Sequence, residues 1–228
     1  LDADTDGDGL SDYEEVKSYD TEPLDVDSDD DGIHDYEEVK VYDTNPRSSD
    51  TDGDGLSDYD EINGVYVDDV IGIVVLNPRS SDTDGDMLSD GLEISGIYVS
   101  DVIGTVKTNP AASDTDGDGL SDYEEVKRGT NPRSVDTDGD GLSDYAEIYK
   151  YGTLPNATDT DGDSLSDSLE IAGINVSGIG IVKTEPTNPD SDGDGLSDGL
   201  EVSGINIRNI GIRYTNPLKQ DTDDDGLN

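Results

Sequence analysis

Asp4, Asp6, Asp8, Asp12 and Glu15 put five carboxylates into the twelve residues DTDGDGLSDYEE. Like charges this close repel one another, and the arrangement becomes favourable only with a cation among the oxygens. The spacing fits D-x-[DN]-x-[DN]-G-x5-E, a loop that wraps calcium. Calcium takes roughly six to eight hard oxygen ligands at ~2.3–2.6 Å. Alternate residues of a tight turn aim their side chains inward from positions 1, 3 and 5. Position 7 (here Leu10) offers its backbone carbonyl, and position 9 contributes directly or through water. Glu at position 12 is long enough to close the shell with both oxygens. Gly at position 6 permits the sharp turn.

The same frame recurs along all 228 residues. The second loop supplies Asp27, Asp29, Asp31, Ile33, Asp35 and Glu38, and the third Asp50, Asp52, Asp54, Leu56, Asp58 and Glu61. The fourth supplies Asp82, Asp84, Asp86, Leu88, Asp90 and Glu93, and the fifth Asp114, Asp116, Asp118, Leu120, Asp122 and Glu125. Asp136, Asp138, Asp140, Leu142, Asp144 and Glu147 form the sixth, and Asp159, Asp161, Asp163, Leu165, Asp167 and Glu170 the seventh. Asp190, Asp192, Asp194, Leu196, Asp198 and Glu201 form the eighth, and a ninth opens with Asp221, Asp223 and Asp225. Met87 and Ser164 replace the sixth-position Gly in the fourth and seventh loops, where strain and weaker binding are expected. A solvated acidic repeat would not hold Asp at fixed odd positions. Eight complete loops use forty carboxylates and the ninth three, which leaves 15 acidic residues against 13 basic ones. Almost the whole net charge of −45 therefore sits where cations would be held. The expected cofactor is calcium, eight to nine ions or more.

These residues resemble thrombospondin type 3 repeats, the EF-hand-like calcium loops of extracellular proteins. The resemblance covers nearly the whole chain, and it implies a calcium-ordered structural segment with little regular secondary structure. It also implies further ions shared between neighbouring loops, for which Asp2, Asp20, Asp25 and Asp43 are candidate ligands. The family pattern is cysteine-rich, whereas this chain has no Cys, so calcium alone would do the stapling. A true EF-hand fits less well. It needs a helix entering the loop and an apolar residue at position 8, where this chain has Ser11, His34, Ser57 and Ser89. Dockerin modules differ in the same way. The longer units, such as DGLEISGIYV, also resemble the calcium-binding segment of protective-antigen-type binary toxins.

The elements that position the loops follow from the spacing. First aspartates are 23, 23, 32, 32, 22, 23, 31 and 31 residues apart, which predicts a short, short, long, long module at 1–113, a second at 114–220 and the start of a third at 221–228. Ending at the eighth position of a loop, the chain reads as part of a longer repetitive protein. A proline four residues before all loops but the first, usually as Asn-Pro, stops a helix from running straight into the loop. After each loop, stretches such as 11–19 and 121–129 predict a helix of about two turns, with a Ser N-cap and acidic first turn. Leu at 7, Tyr at 10 and Val or Ile at 13 would form a small apolar cluster per unit, with the tyrosines packing between repeats rather than forming a ligand-stacking surface. The long units insert Val-, Ile- and Tyr-rich segments at 62–78, 94–110, 171–186 and 202–217, which predict β-hairpins or short strands. Consecutive long units would pair these into a small sheet, or an exposed edge would pair with another chain. The predicted fold is a repetitive linear array of calcium loops, each followed by a short helix, with small β inserts.

Composition bounds the function. With 30% apolar residues, no Trp and no Phe, the chain lacks the core of an enzyme of its length, and nothing in it forms a nucleophile–base pair or a phosphate-cradling loop. His34 is the lone His. No apolar run approaches the ~20 residues of a membrane span, and so acidic a chain repels nucleic acid. Asn156-Ala-Thr158 and Asn175-Val-Ser177 match the glycosylation tripeptide. The expected function is a calcium-rigidified structural segment of an extracellular surface protein: a stalk, an adhesin or a filament subunit that associates with copies of itself through the β inserts. The alternatives are a calcium buffer or sensor, or the spacer of a secreted toxin or enzyme.

Overall fold

A computed structural model describes residues 3–208 and 210–223. Each complete loop is followed by a short helix. These are α1 (Asp12–Glu14), α2 (Asp35–Glu37), α3 (Asp58–Asn63), α4 (Asp90–Ser95), α5 (Asp122–Arg128), α6 (Asp144–Ala146), α7 (Asp167–Ala172) and α8 (Asp198–Ser203). The expected Ser N-caps are in place. The Ser11, Ser57, Ser89, Ser143, Ser166 and Ser197 hydroxyls accept the backbone N–H of the third helical residue. His34 stands at this position before α2 and makes no side-chain cap. In three of the four short units α1, α2 and α6 widen into a π turn, at Glu15–Tyr19, Glu38–Tyr42 and Glu147–Tyr151, while α5 stays α-helical. Asp20, Asp43 and Gly152 close these turns in the left-handed conformation. The chain then returns to the start of the helix, where Thr21, Thr44 and Thr153 donate N–H to the carbonyls of Glu15, Glu38 and Glu147.

The long units depart at the same point. α3 gives way to β1 (Val65–Asp68) and β2 (Gly72–Val74), after which Leu76 N–H donates to the Glu61 carbonyl at 2.9 Å. β3 (Ile97–Ser100) and β4 (Gly104–Val106) follow α4, β5 (Ile174–Val176) and β6 (Gly180–Val182) follow α7, and β7 (Ile205–Ile207) and β8 (Gly211–Arg213) follow α8. All four pairs are antiparallel, and β1–β2 and β3–β4 each carry an irregularity in register. The expected joining of consecutive hairpins into one sheet does not occur among the described residues, where each pair stands as its own two-stranded sheet. The strands are three or four residues long, and a side chain rather than a strand fills the gap at one junction: the Lys107 ammonium donates to the Val67 carbonyl at 3.1 Å.

Two compact units are present, Leu1–Thr115 with Ser121–Arg128, and Asp116–Leu120 with Gly129–Asn228. Apolar burial within them is local. Leu10, Ile33, Leu88, Leu120 and Leu165, all at position 7, are buried. In the second unit Leu165 joins Ile174, Val176 and Val182 in one cluster. The tyrosines at position 10 pack between repeats as expected, with Tyr36 against Gly9, Tyr59 against Gly32 and Tyr145 against Gly119. At position 13, Val202 packs against the Leu165 cluster, whereas Val16 is half exposed.

Candidate metal centre

Backbone N–H groups hold the acidic side chains of each loop in place. In the third, fourth, sixth, seventh and eighth loops the first Asp accepts from positions 4 and 6, as in Gly53 N–H to Asp50 Oδ1 (2.6 Å) and Gly55 N–H to Asp50 Oδ2 (3.1 Å), whereas Asp27 accepts from positions 5 and 6. The third-position Asp accepts through one oxygen from the fifth residue, and the fifth through one oxygen from the seventh, as in Asp54 N–H to Asp52 Oδ1 (3.2 Å) and Leu56 N–H to Asp54 Oδ1 (2.8 Å). Three carboxylates thereby converge. Within the first unit, oxygens of Asp4, Asp6 and Asp8 lie within 4.8 Å of one another, as do those of Asp27, Asp29 and Asp31, of Asp50, Asp52 and Asp54, and of Asp82, Asp84 and Asp86. The fifth loop is divided between the two units. Asp116, Asp118 and Leu120 keep the same bonds in one, and Asp122 accepts from Thr115 in the other. Asp225 lies outside the described residues, as does Asp2.

The fourth and seventh loops keep this geometry without Gly at position 6. Met87 and Ser164 take φ of 87° and 83°, and their N–H groups still reach Asp82 and Asp159 at 3.1 and 2.9 Å. The expected strain is present: L side chains rarely adopt this region.

The glutamates at position 12 are the most deeply placed. Glu15, Glu38, Glu61, Glu93, Glu147, Glu170 and Glu201 have no exposed surface. Among the described residues both carboxylate oxygens of Glu15 and Glu61 are buried without a hydrogen-bond partner, as is Oδ2 of Asp6, Asp29, Asp52, Asp84, Asp138, Asp161 and Asp192. A buried, unsatisfied carboxylate oxygen is costly, more so beside other carboxylates. Burial first, then the neighbouring aspartates, pushes Glu15, Glu170 and Glu201 up to about 7. The same causes bring Glu38, Glu61 and Glu147 to about 8 and Glu93 to about 9. Burial likewise raises Asp29, Asp52 and Asp84 to about 6. Orphaned oxygens in an all-oxygen, anionic pocket suit a hard divalent cation such as calcium.

The aspartates at position 9 carry a further set of bonds. Both oxygens of Asp58 are engaged by the residue at position 2, through Thr51 N–H (2.8 Å) and Thr51 Oγ1–H (2.6 Å). The same pair forms at Asp12, Asp35, Asp90, Asp122, Asp144, Asp167 and Asp198. In this structure these carboxylates brace the loop. Asp20 and Asp43, the candidate ligands for shared ions, are well exposed and pair with Arg47 and Arg79. Asp25 is exposed.

Two sets of residues were missed by the sequence reading. The Ser or Thr at position 2 is one. The other is the Thr two residues before the proline, whose hydroxyl reaches the buried Glu in four units: Thr44 to Glu38 (3.1 Å), Thr108 to Glu93 (2.8 Å), Thr153 to Glu147 (3.2 Å) and Thr184 to Glu170 (2.8 Å). Both recur at fixed register and were visible as columns of hydroxyl residues.

The chain matches the family model described as the bacterial TSP3 repeat six times, at residues 4–26, 27–46, 50–64, 114–132, 136–156 and 190–204. No curated protein matches it. The fourth and seventh loops fall outside the matches, and they are the two with Met87 and Ser164 at position 6. Their hydrogen bonds nevertheless repeat those of the matched loops. Repeats of this family are calcium-binding structural modules that occur in extracellular proteins. No helix among the described residues is long and apolar enough to cross a membrane. The chain is a thrombospondin type 3 repeat array.

Proposed function

We propose that the array is a calcium-rigidified structural segment of an extracellular surface protein. The observation that carries this reading is the recurrence of buried carboxylate oxygens without partners at positions 3 and 12. In each loop the Asp residues at 1, 3 and 5, the carbonyl of residue 7 and the Glu at 12 would hold the ion, with the Asp at 9 contributing directly or through water while it braces the turn. Bound calcium neutralises the loop and ties it to its helix through Glu, so that binding energy becomes folding energy. Extracellular modules work at about 10⁻⁴–10⁻³ M calcium, which suits sites of this open, repetitive kind. Removing calcium with EDTA should lower the thermal midpoint, enlarge the hydrodynamic radius and reduce the helical dichroism. A chain unchanged in all three is not calcium-rigidified.

Self-association is a second reading, favoured by the apolar residues exposed on the hairpins, among them Tyr66, Ile73, Val75, Tyr98 and Ile181. Calcium-loaded protein should then sediment as more than one copy, with Ile73→Lys and Ile181→Lys restoring the monomer. Wild type that sediments as a monomer throughout rules this reading out.

A further inference from the structure

The fifth-position Asp has two oxygens with two different partners. One accepts the N–H of residue 7 in its own loop. The other reaches forward to the backbone N–H of residue 10 in the next loop. Asp8 Oδ2 accepts from Tyr36 N–H at 2.9 Å, Asp54 from Gly91 at 2.8 Å and Asp86 from Tyr123 at 3.0 Å. Asp118 accepts from Tyr145 at 2.8 Å, Asp140 from Ser168 at 2.9 Å and Asp163 from Gly199 at 2.7 Å. Oδ2 of Asp31 is buried with no such partner, so the bond is present at six of the seven junctions between consecutive complete loops. Residue 10 is the second residue of a helix, and the Glu two positions further on is the closing carboxylate of the next loop.

Two junctions are built for closer approach. Residue 10 is Tyr or Ser in loops two, three, five, six and seven, but Gly91 in the fourth and Gly199 in the eighth. Both glycines are helical, where Gly is a poor choice on propensity alone. A Cβ at Gly199 would lie 2.1 Å from the Asp163 carbonyl oxygen, and one at Gly91 2.2 Å from that of Asp54. Backbone touches backbone at these two places and leaves no room for a side chain.

We propose that at these six junctions the second oxygen of the fifth-position Asp is a latch through which neighbouring loops fill with calcium together, and that the third with the fourth loop and the seventh with the eighth are the tightest pairs. The proposal rests on the calcium reading. In an empty loop the fifth Asp is repelled by the first and third. An ion fixes it, which fixes the acceptor for the next helix and so places the next Glu. Coupling of this kind is reciprocal and confined to neighbours, as in other repeat arrays.

The test is an ion count on the whole chain by native mass spectrometry across a calcium titration, with hydrogen exchange read at residues 190–204. Gly199→Ala removes no ligand. It should leave the count at saturation unchanged, raise the calcium needed to fill the seventh and eighth loops about tenfold, and speed exchange of the residue 199 amide. Glu170→Gln, which empties the seventh loop, should weaken the eighth while leaving the second untouched. Tyr145→Phe keeps its N–H and should titrate as wild type. Variants that fill as independent sites, with exchange at residue 199 unchanged, overturn the latch while leaving the calcium reading intact. A wild-type chain that takes up no calcium removes both.

Discussion

Within one loop, each carboxylate has a separate task although the side chains are chemically alike. The Asp at 1 gathers two N–H groups, and the Asp at 9 is held by the hydroxyl and N–H of residue 2. The Asp at 3 and the Glu at 12 keep oxygens to spare. The positions facing the ion could be read from the sequence because side-chain type fixes them. The brace showed in the sequence only as a column of hydroxyl residues at position 2, and nothing pairs that column with an Asp seven residues on until the turn brings them together. The forward bond of the fifth Asp left no trace at all, since its partner is a backbone N–H that every residue but Pro provides. Met87 offers a direct test at this scale. Its side chain is 74% exposed, so Met87→Gly loses little packing while relieving the positive φ. The variant should be stabilised by about 1 kcal/mol, seen as a higher melting midpoint, and its fourth loop should fill at lower calcium. In the third unit Leu76 stands where other units have the Thr that bonds the buried Glu. Leu76→Thr should supply Glu61 with a donor and lower its proton affinity, measurable as a smaller proton release when calcium binds.

The helices lie where expected, and 121–129 forms its two turns as α5, but 11–19 departs in form. Propensity describes a two-turn α-helix over 11–19, whereas the chain must return at residue 21 to the Glu15 carbonyl. Widening the last turn meets that requirement. Asp20 and Asp43 adopt the left-handed conformation that Gly152 adopts in the sixth unit, and their exposed carboxylates reach Arg47 and Arg79. Pairs this exposed contribute little. The cap of α2 is the weak point. His34→Ser should add a hydroxyl acceptor for the third helical N–H and stabilise the second repeat by about 0.5–1 kcal/mol, detectable by hydrogen exchange across 35–42. Hairpins were foreseen from their β-branched residues. Their failure to merge depends on strand length and on Lys107, neither of which hydrophobic pattern reveals.

Across the molecule, charge dominates. The formal net charge is −45, and nine divalent ions would reduce it only to −27. The glutamates at position 12 are raised from 4.5 to between about 7 and about 9 in the metal-free fold. The folded chain therefore binds protons that the unfolded chain has released. Without calcium, stability should be greatest in acid, should fall as pH climbs from about 4.5 through about 9, and should stay low above that. With calcium in place of the protons, the melting midpoint should be nearly flat from pH 6 to 8. Melting curves in EDTA and in calcium across that range distinguish the two behaviours, and a midpoint in EDTA that rises with pH would contradict the assigned burial of these groups.

The bond from Leu76 N–H to the Glu61 carbonyl has one more consequence. The short units make the same bond across six residues, from Thr21 to Glu15, and the third unit makes it across fifteen. The nine extra residues enter and leave the chain at a single seam, and the loop on either side keeps its bonds. The hairpin is thus a cassette. Excising nine residues between Asn63 and Leu76 should turn a long repeat into a short one that keeps its loop, and foreign sequence of almost any length should be accepted at the tip around Val70. Such a seam lets a repeat array vary what it displays without retuning what holds it together.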